Sequence, residues 1–137
     1  MTPEECRLVQ ASFAQVDVDA NRVAALFYGR LFELAPSLAP LFKTDMTLQG
    51  ERFMEKLAIA VKGLDDLDSI APFVRKLGRR HLAYGVKSVD YNVVEEALLW
   101  ALEEELGPAF ERDLKAAWSA AYWAISNMMI GAAERRV

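Results

Sequence analysis

Histidine and cysteine each occur once in the 137 residues, as His81 and Cys6. A lone cysteine closes no disulfide within the chain and forms no paired-thiol redox motif, which suits a reducing cytoplasmic setting. One histidine with one cysteine does not assemble a zinc site of the usual kind. Glycine is sparse, at seven residues, and builds no G-x-S-x-G, Walker A or G-x-G-x-x-G loop. The acidic stretch Asp65-Asp66-Leu67-Asp68 lacks the spacing and the closing glutamate of an EF-hand. No inward Glu-x-x-His pair exists for a di-iron centre. No run of eighteen apolar residues occurs, so no membrane span is expected. The start, Met1-Thr2-Pro3-Glu4-Glu5, is acidic and does not read as a signal peptide. Lys and Arg total 16 against 20 Asp and Glu, a formal charge of −4 with no basic block. That balance argues against nucleic acid as a partner.

What is present is helical periodicity. The chain is 53% hydrophobic and 26% charged, the composition of a globular domain, here read as one domain over residues 1–137. Thr2, Pro3 and Glu5 form a capping box with proline at the first helical position. Leu8, Val9, Phe13 and Val16 then make a buried stripe, with Ser12 on the same face as a structural hydroxyl. A second helix is predicted over residues 21–34, with Ala24, Tyr28, Leu31 and Phe32 on one face. A proline-bearing turn ends in Phe42, and a polar loop follows over residues 43–48. A third helix, 47–61, turns Gln49, Phe53, Leu57 and Ala60 inward. Gly50 inside it costs about 1 kcal/mol relative to alanine, which the close approach of another helix near Ala24 would justify. Asp68 or Ser69 is expected to cap a fourth helix that carries His81 and ends at Gly85. Asp90 is expected to cap a fifth, ending at Leu106-Gly107, with Tyr91, Val94, Leu98 and Leu102 inward. Glu103, Glu104 and Glu105 read as a solvated face. A last helix after Pro108 is predicted to reach Arg136, with the basic pair Arg135-Arg136 near its C-terminus. No strand signal appears, and the fold class expected is all-α with six to eight helices.

Three polar side chains stand on inward faces: Tyr28, Gln49 and His81. In its helix His81 continues the stripe Ile70, Phe73, Val74, Leu77, with Tyr84 one turn further. A buried histidine needs partners for its ring nitrogens, and a helix-end histidine bonded to a carbonyl is the plain alternative. A single histidine is a poor site for a bare metal ion, but it suits a metal whose other ligands come from a cofactor. Haem iron takes four nitrogens from porphyrin and one from a proximal histidine. Such a group would also give Tyr28 and Gln49 something to bond, and Phe27, Phe32, Phe42, Phe53, Tyr84 and Tyr91 a flat ring to pack on.

The segments Phe27-Tyr28-Gly29-Arg30-Leu31-Phe32, Pro36 through Phe42, Gln49 through Met54, Leu77-Gly78-Arg79-Arg80-His81 with Tyr84-Gly85-Val86, and Tyr91-Asn92-Val93-Val94 stand in register. Pro36 precedes Phe42 by six residues, Gln49 precedes His81 by 32, and Tyr91 follows it by ten. In this set the chain resembles a bacterial single-domain globin, similar to the haem domain of flavohaemoglobins and to neuroglobin-like bacterial globins. The resemblance implies a three-over-three helical sandwich around haem b. It implies His81 as the proximal iron ligand, Phe42 as the aromatic packed on the porphyrin, Gln49 as the distal residue and Tyr28 as the distal tyrosine. Phe53 takes the next inward distal position, where leucine is more usual. Tyr91 matches a proximal-side tyrosine, and Leu77, Val86 and Val94 lie in the segments that would line the cofactor. Arg79 or Arg80 would meet a haem propionate. The glutamate that supports the proximal histidine in flavohaemoglobins falls on Ala133 here, with Glu134 beside it, a rotation of about 100° on a helix.

The function expected is reversible, high-affinity binding of dioxygen and other small diatomic ligands by a cytoplasmic haem protein. Nitric oxide dioxygenase or peroxidase chemistry with a separate reductase, or ligand sensing and scavenging as of sulfide, are the alternatives. A haem-free helical interaction module is the last. With one histidine, a haem held by two histidines is excluded, and any internal sixth ligand would be Tyr28, a methionine or a lysine.

Overall fold

The computed structural model describes residues 1–43 and 45–134. Among them are six α-helices: α1 Pro3–Val16, α2 Ala20–Leu34, α3 Met46–Lys62, α4 Leu67–Ala83, α5 Asp90–Leu106 and α6 Arg112–Glu134. Short 3-10 turns over Asp17–Asp19, Pro36–Leu41 and Gly107–Ala109 join α1 to α2, lead out of α2 and join α5 to α6. No strand occurs among the described residues. Thr44 of the expected loop, and the predicted end of the last helix at Arg135 and Arg136, lie outside the described residues.

Local chemistry sets the helix starts. The Thr2 backbone N–H donates to Glu5 Oε1 at 2.9 Å, and the Glu5 N–H donates to Thr2 Oγ at 3.1 Å, the predicted reciprocal cap. Asp45 caps α3 by accepting from the Thr47 N–H at 2.7 Å. The expected caps of α4 and α5 differ. Helix α4 begins at Leu67 after Asp66, and the Ser69 hydroxyl donates to the Asp66 carbonyl at 2.7 Å instead of receiving an N–H. Asp90 is the first residue of α5, and its carboxylate accepts from the Lys87 N–H at 2.8 Å, closing the turn ahead of the helix. Gly107 at φ +58° ends α5 where a side chain would be strained.

Helix α4 packs along α6, α2 crosses α5, α1 lies on α6, and α3 lies on α2. These pairings set three helices against three, as the expected sandwich requires. Two close approaches fix them. A Cβ on Gly50 would stand 3.0 Å from the Ala24 Cβ, so the glycine in α3 lets α2 come near, as predicted. A Cβ on Gly78 would stand 2.3 Å from the Met129 carbonyl oxygen, so α4 rests directly on the α6 backbone one turn before His81. Ser12 is buried, bonds back to the Val9 carbonyl at 3.0 Å and accepts from Trp118 Nε1 at 2.9 Å, tying α1 to α6. Glu105 departs from the solvated reading: it pairs with Arg22 across α2 and α5, its side chain only 13% exposed.

The apolar core falls into two clusters. The larger holds Val9, Phe27, Tyr28, Leu31, Leu102 and Trp118, with Phe42, Phe53 and Val94 packed against it. The smaller holds Val74, Tyr91 and Met129, with Phe73, Leu77 and Val86 around it. Helices α3 and α4 touch little. That separation is the feature of the fold that positions the site.

Two identical substitutions should act with opposite sign. Gly78→Ala is expected to lower unfolding stability by about 1–3 kcal/mol through overpacking on Met129, although alanine is the better helix former. Gly131→Ala in α6, where nothing lies within 4 Å of the added carbon, should raise stability by about 0.5–1 kcal/mol. Urea unfolding of both variants checks this, and a Gly78→Ala protein as stable as Gly131→Ala would contradict the close packing.

Candidate cofactor site

His81 lies in the last turn of α4, half-buried. Its Nδ1 is 2.7 Å from the Leu77 carbonyl oxygen, one helical turn back. A carbonyl only accepts, so Nδ1 carries the proton and Nε2 keeps its lone pair. Nε2 makes no hydrogen bond among the described residues. Burial pushes the imidazole pKa down, the Leu77 bond opposes that, and the positive charges of Lys56 and Arg80 push it down further. The ring is thus a neutral imidazole at pH 7, which is the form that coordinates a metal.

Across from it, α2 and α3 bring Tyr28 and Gln49 together. Gln49 Nε2 donates to the Tyr28 hydroxyl at 3.2 Å. Burial raises the Tyr28 pKa, the Gln49 bond partly opposing it, so the phenol keeps its proton. That proton has no acceptor among the described residues. The ring is fixed by edge contacts to Phe27, Phe42 and Phe53, with centroids at 4.9, 5.3 and 5.7 Å. Phe53 in turn stacks on Phe27 at 4.4 Å and an interplanar angle of 1°. Four of the predicted residues, Tyr28, Phe42, Gln49 and Phe53, therefore form one group.

The others gather on the second cluster. Leu77 and Val86 flank buried Tyr91. The Tyr91 carbonyl accepts from the Tyr122 hydroxyl at 2.6 Å, which pins the first turn of α5 to α6. Val94 packs on the larger cluster instead. Arg79 and Arg80 are both exposed, and Arg80 is the one whose charge reaches His81. Tyr84 does not extend the inward stripe: α4 ends at Ala83, and the tyrosine is 61% exposed. Gly85 follows at φ +93°. Glu134 is exposed and, with Ala133, Tyr91 and Leu82, borders a cleft of about 360 Å³ beneath α4. His81 Nδ1 donates to a carbonyl, and no carboxylate bonds it among the described residues.

Two partners escaped the sequence reading. The Leu77 carbonyl is backbone, which no residue pattern marks. Lys56 is half-buried on α3, its pKa lowered by burial and then by Arg80. It stands seven after Gln49, on the face shared by Gln49 and Phe53, so following that stripe one more turn finds it.

The arrangement fits haem. No group of three or more His, Cys, Asp or Glu could hold a bare ion among the described residues. One neutral imidazole keeps an unbonded nitrogen on α4, a phenol with an unspent proton belongs to the larger of two separate core clusters, and Leu77, one turn before the imidazole, belongs to the smaller. A flat group that supplies its own equatorial ligands matches both observations.

Comparison with known proteins places the fold. Residues 25–129 match the globin family. The neuroglobin of Danio rerio is 34% identical over 118 residues, covering 76% of this chain and 74% of that protein. The flavohemoprotein of Bacillus subtilis (strain 168) is 28% identical over 127 residues, 90% of this chain but 32% of that longer one. The bacterial globin structure from Campylobacter jejuni superposes with a TM-score of 0.83 at 25% identity, covering 98% of this chain and 97% of that one. The chain belongs to the globin family, whose members are haem proteins.

Proposed function

We propose that this globin binds haem b through His81 and uses it to bind dioxygen reversibly and tightly. The observation that carries the reading is the Tyr28 hydroxyl, which accepts from Gln49 at 3.2 Å, together with a neutral His81 whose Nδ1 donates to the Leu77 carbonyl. Ferrous haem, when bound, supplies the affinity for a diatomic ligand. The chain supplies the rest. His81 Nε2 would hold the iron, and the Leu77 carbonyl keeps the ring in the tautomer that leaves Nε2 free to do so. Phe42 and Phe53 would pack against the ring system and keep water out, while Leu77, Val86, Tyr91 and Val94 would close the remaining walls. Tyr28 donates a hydrogen bond to the ligand, with Gln49 behind it as orienter and second donor. Lys56 on α3 and Arg80 on α4, whose charges both act on His81, would face the propionates. A donor in a dry pocket slows ligand escape.

Nitric oxide dioxygenation with a separate reductase is the second reading. Similarity to a flavohemoprotein favours it. The neutral, carbonyl-bonded His81 disfavours it, because a carboxylate partner would make the ring a stronger electron donor.

Tyr28→Phe should raise the oxygen dissociation rate roughly tenfold or more, as expected for loss of a bond worth about 1.5–3 kcal/mol. Stopped-flow displacement of oxygen by carbon monoxide measures this, and an unchanged rate would remove Tyr28 as a donor. His81→Ala should abolish stable haem uptake. Reconstitution with haemin that still gave a full-strength Soret band would assign the iron to another residue.

A further inference from the structure

Charge is distributed unevenly over this acidic chain. Between residues 69 and 89 there is no carboxylate, and the same segment carries Arg75, Lys76, Arg79, Arg80 and Lys87. All five are exposed. The four on α4 recur at i, i+1, i+4 and i+5, an outward arc of roughly 140°. Ala71, Val74 and Gly78 lie buried on the opposite side. Among the described residues none of the five enters an ion pair, whereas Arg7, Arg22 and Arg30 on α1 and α2 pair with Glu4, Glu105 and Glu33.

This clustering is unfavourable for the helix itself. Arg75 with Arg79, and Lys76 with Arg80, are like-charge pairs one turn apart, which destabilise a helix. The C-terminal dipole favours only Arg80 among them, the one in the last turn. The field also reaches the candidate site: Lys56 and Arg80 act on His81, and Arg52 and Arg80 act on Lys56, with Glu55 offsetting part of it.

We propose that the outer face of α4 docks an acidic electron-donor protein, one that carries a one-electron centre and delivers its electron across this helix to the group that His81 would hold. This rests on the haem reading above. Charge complementarity selects the partner. The rest of the chain is acidic, so a long polyanion or a flat anionic surface would meet like charge beyond this one helix, while a compact acidic protein would not. In the step, the donor is oxidised by one electron and the ferric centre is reduced by one to ferrous; no bond forms and no proton moves.

The test uses the haem-loaded ferric protein and two small reductants, Fe(EDTA)2− and hexaammineruthenium(II). The net charge of −4 predicts that salt speeds the anion and slows the cation. The local field predicts the reverse. Reduction by Fe(EDTA)2− should slow about threefold or more between roughly 0.01 M and 0.5 M salt. In Arg75→Glu/Lys76→Glu, with an unaltered Soret band, that slowing should vanish or invert. Salt-accelerated reduction by Fe(EDTA)2− in the unaltered protein would overturn the proposal. NMR titration with an acidic plant-type [2Fe–2S] ferredoxin should shift α4 amides, with affinity at least tenfold weaker in the double variant. Tighter binding of that face to phosphatidylglycerol vesicles or duplex DNA than to the ferredoxin would overturn the choice of partner. Failure of the haem reading shows separately, as a missing Soret band before any reductant is added.

Discussion

The hydrogen bond from His81 Nδ1 to the Leu77 carbonyl, 2.7 Å long, is the constraint on which the site depends. It selects the tautomer, leaves Nε2 with its lone pair, and fixes the ring to the helix. It exists only while α4 remains regular through its last turn. That regularity is enforced from outside, by Gly78 seated on the Met129 backbone and by the turn at Gly85, where φ is +93°. Helix α6 therefore supports the turn that carries the histidine, and it holds Tyr91 through the Tyr122 hydroxyl as well.

The opposing group is built by different means. Tyr28 is held by aromatic edges and one amide bond, not by backbone. Its protonated state follows from burial, as the neutral state of His81 does. Desolvation thus prepares both sides, keeping a donor on one and a free nitrogen on the other. The basic rim of α4 and Lys56 adds to the second effect, because positive charge near His81 disfavours protonation.

Most of the helical frame was legible in the sequence, because 3.6-residue stripes such as Val9, Phe13 and Val16 map directly onto burial. The capping box at Thr2 and Glu5 and the Gly50–Ala24 approach were equally legible, each being local chemistry or a missing side chain with one explanation. The caps of α4 and α5 were not, since several polar residues in a row, as at 65–69, offer competing starts. Tyr84 misled because helical spacing was carried past the point where the helix ends. Glu105 misled because a carboxylate in an acidic run gives no hint of Arg22, 83 residues away in sequence. Of the candidate site, Tyr28, Gln49 and Phe53 were readable from inward faces, and Phe42 only from its spacing after Pro36 in the family resemblance. The Leu77 carbonyl was not, for backbone partners carry no residue signal.

The central claim is that a neutral His81, bonded to the Leu77 carbonyl, is the axial ligand of haem iron. Resonance Raman spectroscopy of the ferrous, ligand-free haem protein observes the iron–histidine stretch directly. The account predicts a stretch at the frequency of a neutral imidazole bonded to a carbonyl, lost in His81→Ala. A stretch at the higher frequency of an imidazolate-like ring, or none from the five-coordinate ferrous haem of the unaltered protein, would contradict it.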